Sequence, residues 1–284
     1  MRRNKFGLIG HPIAHSLSPA LFKAGYDGKY PYELIETPDF EEAYQRFLDG
    51  YDGINVTAPF KELAFAKADI LSDECKTIGA TNLLIKTPEG VKAYNSDFLG
   101  VRKWLLEVAG MLAAKSVLPP WPQGEGPAPQ EWEGFFSPAD TRRPAKVLIS
   151  GLGGAGKAAA AAAESLGMEV IRMNRTVRDG SMRPLSDFKE CFREADIIIY
   201  NIPTAIAQMN DLTDSDFCPG RPKIILEANY RNPSFDETFI NRMKKANPKV
   251  EYVSGKKWLL YQAVTGYQIF TGENPDLDKM SAVL

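Results

Sequence analysis

The stretch AKVLISGLGGAGKAAAAAAESLG (residues 145–167) decides how the chain is read. Its first part, KVLIS, is a short apolar run of the kind buried on both faces of a parallel sheet. The run stops at glycines, and the alanines that follow favour a helix with a thin flank. Gly151, Gly153 and Gly156 form G-x-G-x-x-G between that strand and that helix, the context a dinucleotide fingerprint requires. Glycines let the backbone turn tightly and approach a pyrophosphate, while the helix N-terminus offers free N–H groups and partial positive charge. Gly151, Gly156 and Lys157 also spell G-x4-G-K. A P-loop then needs Ser or Thr to hold magnesium, and Ala158 stands there instead. A dinucleotide site is the preferred reading over a phosphotransferase, and magnesium-dependent ATP binding at this loop would reverse that choice.

The next strand, EVIRMNRT (169–176), bears on the choice of cofactor. NAD sites place a carboxylate about 20 residues on, at the strand's C-terminal end, where it binds the ribose hydroxyls. That end here reads Asn174-Arg175-Thr176, and Glu169 lies at the wrong end. An arginine there can pair with a 2′-phosphate. The expected cofactor is NADP(H).

Two further apolar runs, DIIIYNIP and KIILEAN, complete a doubly wound sheet. The first part of the chain has its own alternation. FGLIG (6–10), YELIE (32–36) and GINVT (53–57) read as strands, with helices at 18–28, 39–49 and 59–70. This predicts βαβ units in a largely parallel sheet. TNLLIK and VKAY, joined by TPEG, read as a hairpin over 81–94, followed by a helix from Phe98 to Val108. The segment WLLYQAVTGYQIFTG (258–272) is helical and expected to pack back on the first domain. The expectation is an α/β protein of two domains. One comprises residues 1–100 plus 253–284, and the other is a Rossmann-like domain of residues 101–252. A Pro-rich insertion interrupts the second at about 113–145. Trp121, Trp132, Phe135 and Phe136 mark it as an anchored excursion rather than a lid.

Composition narrows the class. The 284 residues carry a formal net charge of −2, which gives no basic surface for nucleic acid or anionic membrane. No apolar run reaches the roughly 18 residues of a membrane span, and the start, MRRNKFGLIGHP, is unlike a signal peptide. Cys75, Cys191 and Cys218 form no C-x-x-C pair and suit a reducing compartment, so a cytoplasmic protein is expected. His11 and His15 are spaced i, i+4, but Pro12 interrupts a helix and no third ligand is apparent, so no metal is expected. Tyr252 and Lys256 form Y-x-x-x-K across Gly255 after a strand-like segment, where chance is the better account.

Reduction of a ketone by a nicotinamide needs a proton donor for the forming alkoxide. NVTAPFK (55–61) offers Asn55, Thr57 and Lys61 where a strand runs into a helix, and NSDFLG (95–100) offers Asn95 and Asp97 before another. Loops at strand C-terminal ends gather around one crevice, where a Lys and an Asp can share a proton-transfer task. From spacing alone the plainer readings are preferred, Lys61 as a surface charge and Asp97 as a helix cap.

Seven segments taken in order shift that weighting: GHPIAHSLSP (10–19), NVTAPFK (55–61), GATNLL (79–84), NSD (95–97), GLGGAGKA (151–158), NRT (174–176) and GKKWLLYQA (255–263). Together the chain resembles the shikimate dehydrogenase family, which includes quinate-acting members. The resemblance implies an NADP-dependent oxidoreductase of chorismate and aromatic amino acid biosynthesis, interconverting 3-dehydroshikimate and shikimate. It implies an N-terminal substrate domain and a monomer or homodimer. Lys61 and Asp97 would be the catalytic pair. Ser16 and Ser18 would bind the substrate carboxylate; Thr57, Asn82, Asp97 and Gln262 its ring hydroxyls; and Tyr230 would line the pocket near the carboxylate. Gly151, Gly153, Gly154, Ala155 and Gly156 would cradle the pyrophosphate, with Asn174, Arg175 and Thr176 at the 2′-phosphate. The chain departs from the family pattern at Phe98, at Asn201–Thr204 (NIPT), at Lys257 and at Arg178. A quinate or aminoshikimate dehydrogenase, and a cofactor-binding relative with little turnover, stay open as alternatives.

Overall fold

The computed structural model describes residues 4–115 and 144–284. Most of the insertion expected at 113–145, including Trp121, Trp132, Phe135 and Phe136, lies outside the described residues. In chain order the elements are β1 (Phe6–Gly10), α1 (Ser18–Gly25), β2 (Tyr32–Glu36), α2 (Phe40–Gly50), β3 (Gly53–Val56), α3 (Lys61–Lys67), β4 (Ile70–Leu71), α4 (Asp73–Ile78), β5 (Leu83–Thr87), β6 (Gly90–Tyr94) and α5 (Ser96–Lys115). They continue with β7 (Lys146–Ser150), α6 (Gly154–Ser165), β8 (Glu169–Met173), β9 (Met182–Arg183), α7 (Phe188–Glu194), β10 (Ile197–Tyr200), β11 (Lys223–Glu227), α8 (Glu237–Ala246), β12 (Val250–Ser254), α9 (Lys256–Thr271) and α10 (Leu277–Ser281). None of the described helices is long and apolar enough to cross a membrane.

The chain divides into two compact units. One comprises Met1–Lys103, Lys157–Ala161 and Lys256–Leu284, and the other Trp104–Gly156 and Ala162–Gly255. The first unit holds a six-stranded sheet in the order β2-β1-β3-β5-β6-β4. β1 runs parallel to β2 and β3, but β5 is antiparallel to β3 and to β6. The expected largely parallel sheet is therefore corrected to a mixed one. The hairpin legible at 81–94 inserts itself beside β3, a non-local pairing that no local pattern announces. α2 shows how one face is covered. Asp39 caps it by accepting from the backbone N–H groups of Glu41 and Glu42. Phe40, Ala43, Tyr44 and Phe47 then fall at helical spacing and pack on Ile9, Ile35 and Ile54. On the opposite side α1 and α9 bring Leu21, Phe22 and Tyr267 against Phe6. Phe22 is fully buried, a contribution of about 1.5–3 kcal/mol. α1 stops at Gly25, short of the expected 28, because Asp27 and Gly28 turn left-handed at φ 51° and 72°.

The second unit holds a sheet in the order β12-β11-β10-β7-β8-β9, parallel throughout. From β7 the chain winds one way to β8 and β9, then returns to build β10, β11 and β12 on the other side. The reversal opens a crevice at the carboxyl ends of β7 and β10. IIIY in β10 and KIILE in β11 are buried along their whole length, as central strands of such a sheet must be. β11 buries a charge at each end, Lys223 and Glu227. Lys223 Nζ donates to the carbonyls of Phe192 and Ala195 at 2.6 and 2.5 Å, closing the C-terminus of α7, where a cation is favoured. Burial still pulls its pKa down to about 8.

Candidate active site

In the first unit, two polar segments meet at one end of the sheet. Thr57 N–H donates to Ile9 O at 3.0 Å and His11 N–H to Ala58 O at 3.2 Å, tying the loop after β3 to the loop after β1. The second loop carries Ser16 and Ser18. Ser16 Oγ accepts from Ser18 N–H at 3.2 Å and donates to Ser18 Oγ at 3.1 Å, so the two hydroxyls are held side by side. Tyr267 from α9 fixes the same turn by donating to Ser18 O at 3.1 Å. Val56 N–H donates to Asn82 O at 2.8 Å, and buried Asn82 accepts from Ser96 N–H through Oδ1 at 2.6 Å. These bonds lead from the β3 loop to the start of α5.

There Lys61, the first residue of α3, meets Asp97, in the first turn of α5, with Nζ to Oδ2 at 2.6 Å. Their side chains are 23% and 14% exposed, enough to admit a substrate but too sheltered for full solvent screening. Neither of the plain readings of this pair describes it. Lys61 is no free surface charge, and the cap of α5 is Asn95, whose Oδ1 accepts from Phe98 N–H at 3.1 Å. Asn95 is itself buried and donates to Ala80 O at 3.1 Å, so Asp97 keeps its carboxylate for Lys61. Gln262 reaches the same place from α9: Ser96 Oγ donates to Gln262 Oε1 at 3.4 Å. The approach requires Gly100, since a Cβ there would stand 2.5 Å from Gln262 N. Trp258 Nε1 donates to Asp97 O at 3.2 Å and locks that turn. Sequence reasoning missed Ser96 and Trp258 as supports. Trp258 lies within one of the seven motif segments, but its partner is far away in sequence.

In the second unit the glycine loop has the form its spacing implied. Gly151 sits at φ 88°, and a Cβ on Gly156 would lie 1.9 Å from Gly151 O, so the loop closes only over a bare Cα. Gly153 precedes α6 without a side-chain cap among the described residues, and Gly154 and Ala155 open the helix, leaving backbone N–H groups for a ligand. Ser150 Oγ and Asn201 Oδ1, at the ends of β7 and β10, are buried and have no hydrogen-bond partner among the described residues. At the end of β8, Asn174 N–H donates to Arg183 O at 3.2 Å and Asn174 Nδ2 to Thr176 O at 3.3 Å, while Arg175 and Thr176 are exposed. Glu169, at the far end of that strand, is paired with Lys146 at 3.1 Å. Tyr230 belongs to this unit too, on the loop after β11. Tyr252 donates to Glu227 Oε2 at 2.8 Å from within β12, which disposes of the Tyr252–Lys256 pattern as a catalytic pair.

Residues 8–84 match the shikimate dehydrogenase substrate binding domain, and residues 128–222 match the NAD binding domain of D-isomer specific 2-hydroxyacid dehydrogenases. The chain is 30% identical over 284 residues to shikimate dehydrogenase (NADP(+)) of Syntrophobacter fumaroxidans, covering 91% of this chain and 84% of that one. It is 29% identical to the enzyme of the same name from Methanosarcina barkeri, covering 97% and 95%. Among solved structures, shikimate 5-dehydrogenase from Thermus thermophilus in complex with NADP(H) and shikimate superposes with a TM-score of 0.71 at 25% identity, over 98% of this chain and 97% of that one. Quinate dehydrogenase from Corynebacterium glutamicum, in complex with NAD, shares the fold with a TM-score of 0.72 at 18% identity, over 98% and 97% of the two chains. With both halves matched and the similarity running through nearly the whole length, the chain belongs to the shikimate dehydrogenase family.

Proposed function

We propose that this protein is an NADP-dependent shikimate dehydrogenase, reversibly reducing 3-dehydroshikimate to shikimate. One observation carries the reading: Lys61 and Asp97 form a sheltered pair at 2.6 Å, within a network of polar groups from four separate segments. A small polyol acid presents a carboxylate and several hydroxyls, and each finds a suitable partner here. Ser16 and Ser18 offer paired hydroxyls to the carboxylate. Thr57, Asn82, Asp97 and Gln262 offer amide, hydroxyl and carboxylate groups to the ring hydroxyls. For Tyr230 the family pattern alone supports a place near the carboxylate. A site built around a hydroxyl rejects analogues that lack it, because its own groups are then left unpaired.

The residues of the glycine loop fit a dinucleotide. The bare Cα cradle of Gly151 and Gly156 and the N–H groups at the start of α6 suit a pyrophosphate. Ser150 Oγ and Asn201 Oδ1, buried and without a hydrogen-bond partner among the described residues, suit polar groups of the same ligand, the Asn201 oxygen as an acceptor for a hydroxyl or amide N–H. Asn174, Arg175 and Thr176 are suited to a 2′-phosphate, with no carboxylate among them to repel it. A bound nicotinamide supplies hydride in one direction and accepts it in the other.

The remaining chemistry belongs to the protein. In reduction, Lys61 Nζ donates its proton to the ketone oxygen as charge develops there. In oxidation the neutral amine takes the proton back from the hydroxyl. Asp97 holds the ammonium in place and accepts from a neighbouring substrate hydroxyl, which orients the ring. A cytoplasmic setting suits the three free cysteines. The test is initial-rate measurement with shikimate and quinate against NADP⁺ and NAD⁺. The expected result is turnover of shikimate with NADP⁺ above the other pairs, and a preference for quinate or for NAD⁺ would overturn the assignment.

A further inference from the structure

Glu227 is fully buried at the end of β11, and its hydrogen-bond partners among the described residues are all neutral. It accepts from the backbone N–H groups of Ser234 and Phe235, the latter at 3.2 Å, and from the Tyr252 hydroxyl at 2.8 Å. Burial, and after it the carboxylate, holds the Tyr252 hydroxyl well above its usual pKa, so it stays a donor. A carboxylate is expensive to bury, and none of these partners is a cation that would balance it. What it does is pin both ends of the 228–235 loop: the loop leaves from residue 227 and returns to its carboxylate.

Inside that loop, Asn229 makes a second set of bonds. Its Oδ1 accepts from Arg231 N–H and Asn232 N–H at 3.3 and 3.2 Å. Its Nδ2 donates to Asn232 O at 2.8 Å and, across to the loop after β10, to Pro203 O at 2.9 Å. The second loop is anchored from its own side, Tyr200 donating to Thr204 O at 2.8 Å and Asn201 N–H to Ser150 O at 2.7 Å. It also lies against the glycine loop, since a Cβ on Gly151 would come within 3.1 Å of Ile202 Cγ1. A continuous path thus runs from Tyr252 and Glu227 through Asn229 to the segment that borders the crevice.

The side of the crevice matters. Asn174–Thr176 lie on the β8 side of the switch point, and the braced loops lie on the β10 and β11 side. A dinucleotide across the crevice has its adenosine half on the first and its nicotinamide half on the second. We infer that Glu227 and Asn229 are positioning residues, a brace that sets the wall of the crevice for the nicotinamide half of the cofactor and leaves the adenosine half untouched. This rests on the dinucleotide reading above.

The experiment compares two ligands on the full-length protein, each titrated by fluorescence or calorimetry. NADP⁺ spans the crevice, whereas 2′,5′-ADP carries only the adenosine half. In Asn229→Ala, the loss of one crossing hydrogen bond should weaken NADP⁺ about fivefold and leave 2′,5′-ADP within about twofold of wild type. Tyr252→Phe should show the same split through Glu227, and it stands in for the first variant if Asn229→Ala fails to fold. Unchanged affinity for both ligands, or an equal loss for both, overturns the brace. Wild-type protein that binds neither ligand overturns the dinucleotide reading itself, and the brace with it.

Discussion

In the proposed function, the two units hold a small polar molecule in opposite ways. In the first, side chains do the work: the Lys61–Asp97 pair, the paired serines, Asn82 and Gln262. They stand on a mixed sheet whose hairpin, β5–β6, delivers Asn82 and Asp97 to the place where β3 delivers Lys61. In the second, the backbone is proposed to do it: glycines without Cβ atoms, a helix start without a side-chain cap among the described residues and strand ends in one parallel sheet. A side-chain site is lost by removing atoms, and a backbone site by adding them. A set of substitutions can break that contrast.

Removing atoms from the first site should have the largest effect. Lys61→Ala takes away the proposed proton donor, and general acid–base groups contribute about 10²- to 10⁴-fold. kcat should fall by that factor with KM for shikimate little changed, because the hydroxyl and carboxylate contacts remain. Steady-state kinetics check it, and near wild-type kcat would remove Lys61 from the mechanism. Adding atoms to the second site comes next. Gly156→Ala places a methyl 1.9 Å from Gly151 O, so the loop must move. Overpacking of this kind costs about 1–3 kcal/mol, or roughly a tenfold to hundredfold loss in NADP⁺ affinity. Isothermal titration should show that loss, and intact binding would mean that the cradle is not used.

How far the sequence speaks follows the same divide. The backbone site is legible almost residue by residue, because the strand, the glycine spacing and the helix are local and adjacent from Lys146 to Ser165. The side-chain site is not. Lys61 and Asp97 are separated by 36 positions, and nothing local shows that α3 and α5 start side by side. Only the assembled family motifs single them out, and the cap at Asn95 shows why the Asp97 carboxylate is left to Lys61. Pairing order is illegible for the same reason, so the antiparallel β5 within the first sheet is a correction. KIILE reads plainly as a strand, but its terminal charges look like solvent markers until the partners of Lys223 and Glu227 are seen.

Arg175 sharpens the comparison because it is the side-chain element of the backbone site. It is exposed at the end of β8, so the proposed pairing with a 2′-phosphate would be partly screened. Arg175→Ala should lower kcat/KM for NADP⁺ about tenfold and leave NAD⁺ nearly unchanged, since a charge-assisted hydrogen bond contributes about 1.5–3 kcal/mol before screening. Parallel assays with the two cofactors measure it. An equal loss for both would show that Arg175 acts on something the two cofactors share.

The last substitution touches neither site and should leave turnover where it is. Lys223 has a folded pKa of about 8. In the unfolded chain a lysine titrates near about 10.4. Between those values the unfolded state binds more protons than the folded one, so this group makes stability rise with pH across the window. Below about 8 it is charged in both states, and the full cost of burying the ammonium is felt. The two carbonyls it closes, Phe192 O and Ala195 O, offset part of that cost. Lys223→Met removes the titration while keeping most of the volume. Denaturant melts of the wild type and the variant at pH 7 and pH 10 should show the wild type gaining relative to the variant as pH rises, by at most about 3 kcal/mol. Parallel curves would mean that the ammonium is as well held in the sheet as in water, so that the closure of α7 fully compensates its burial.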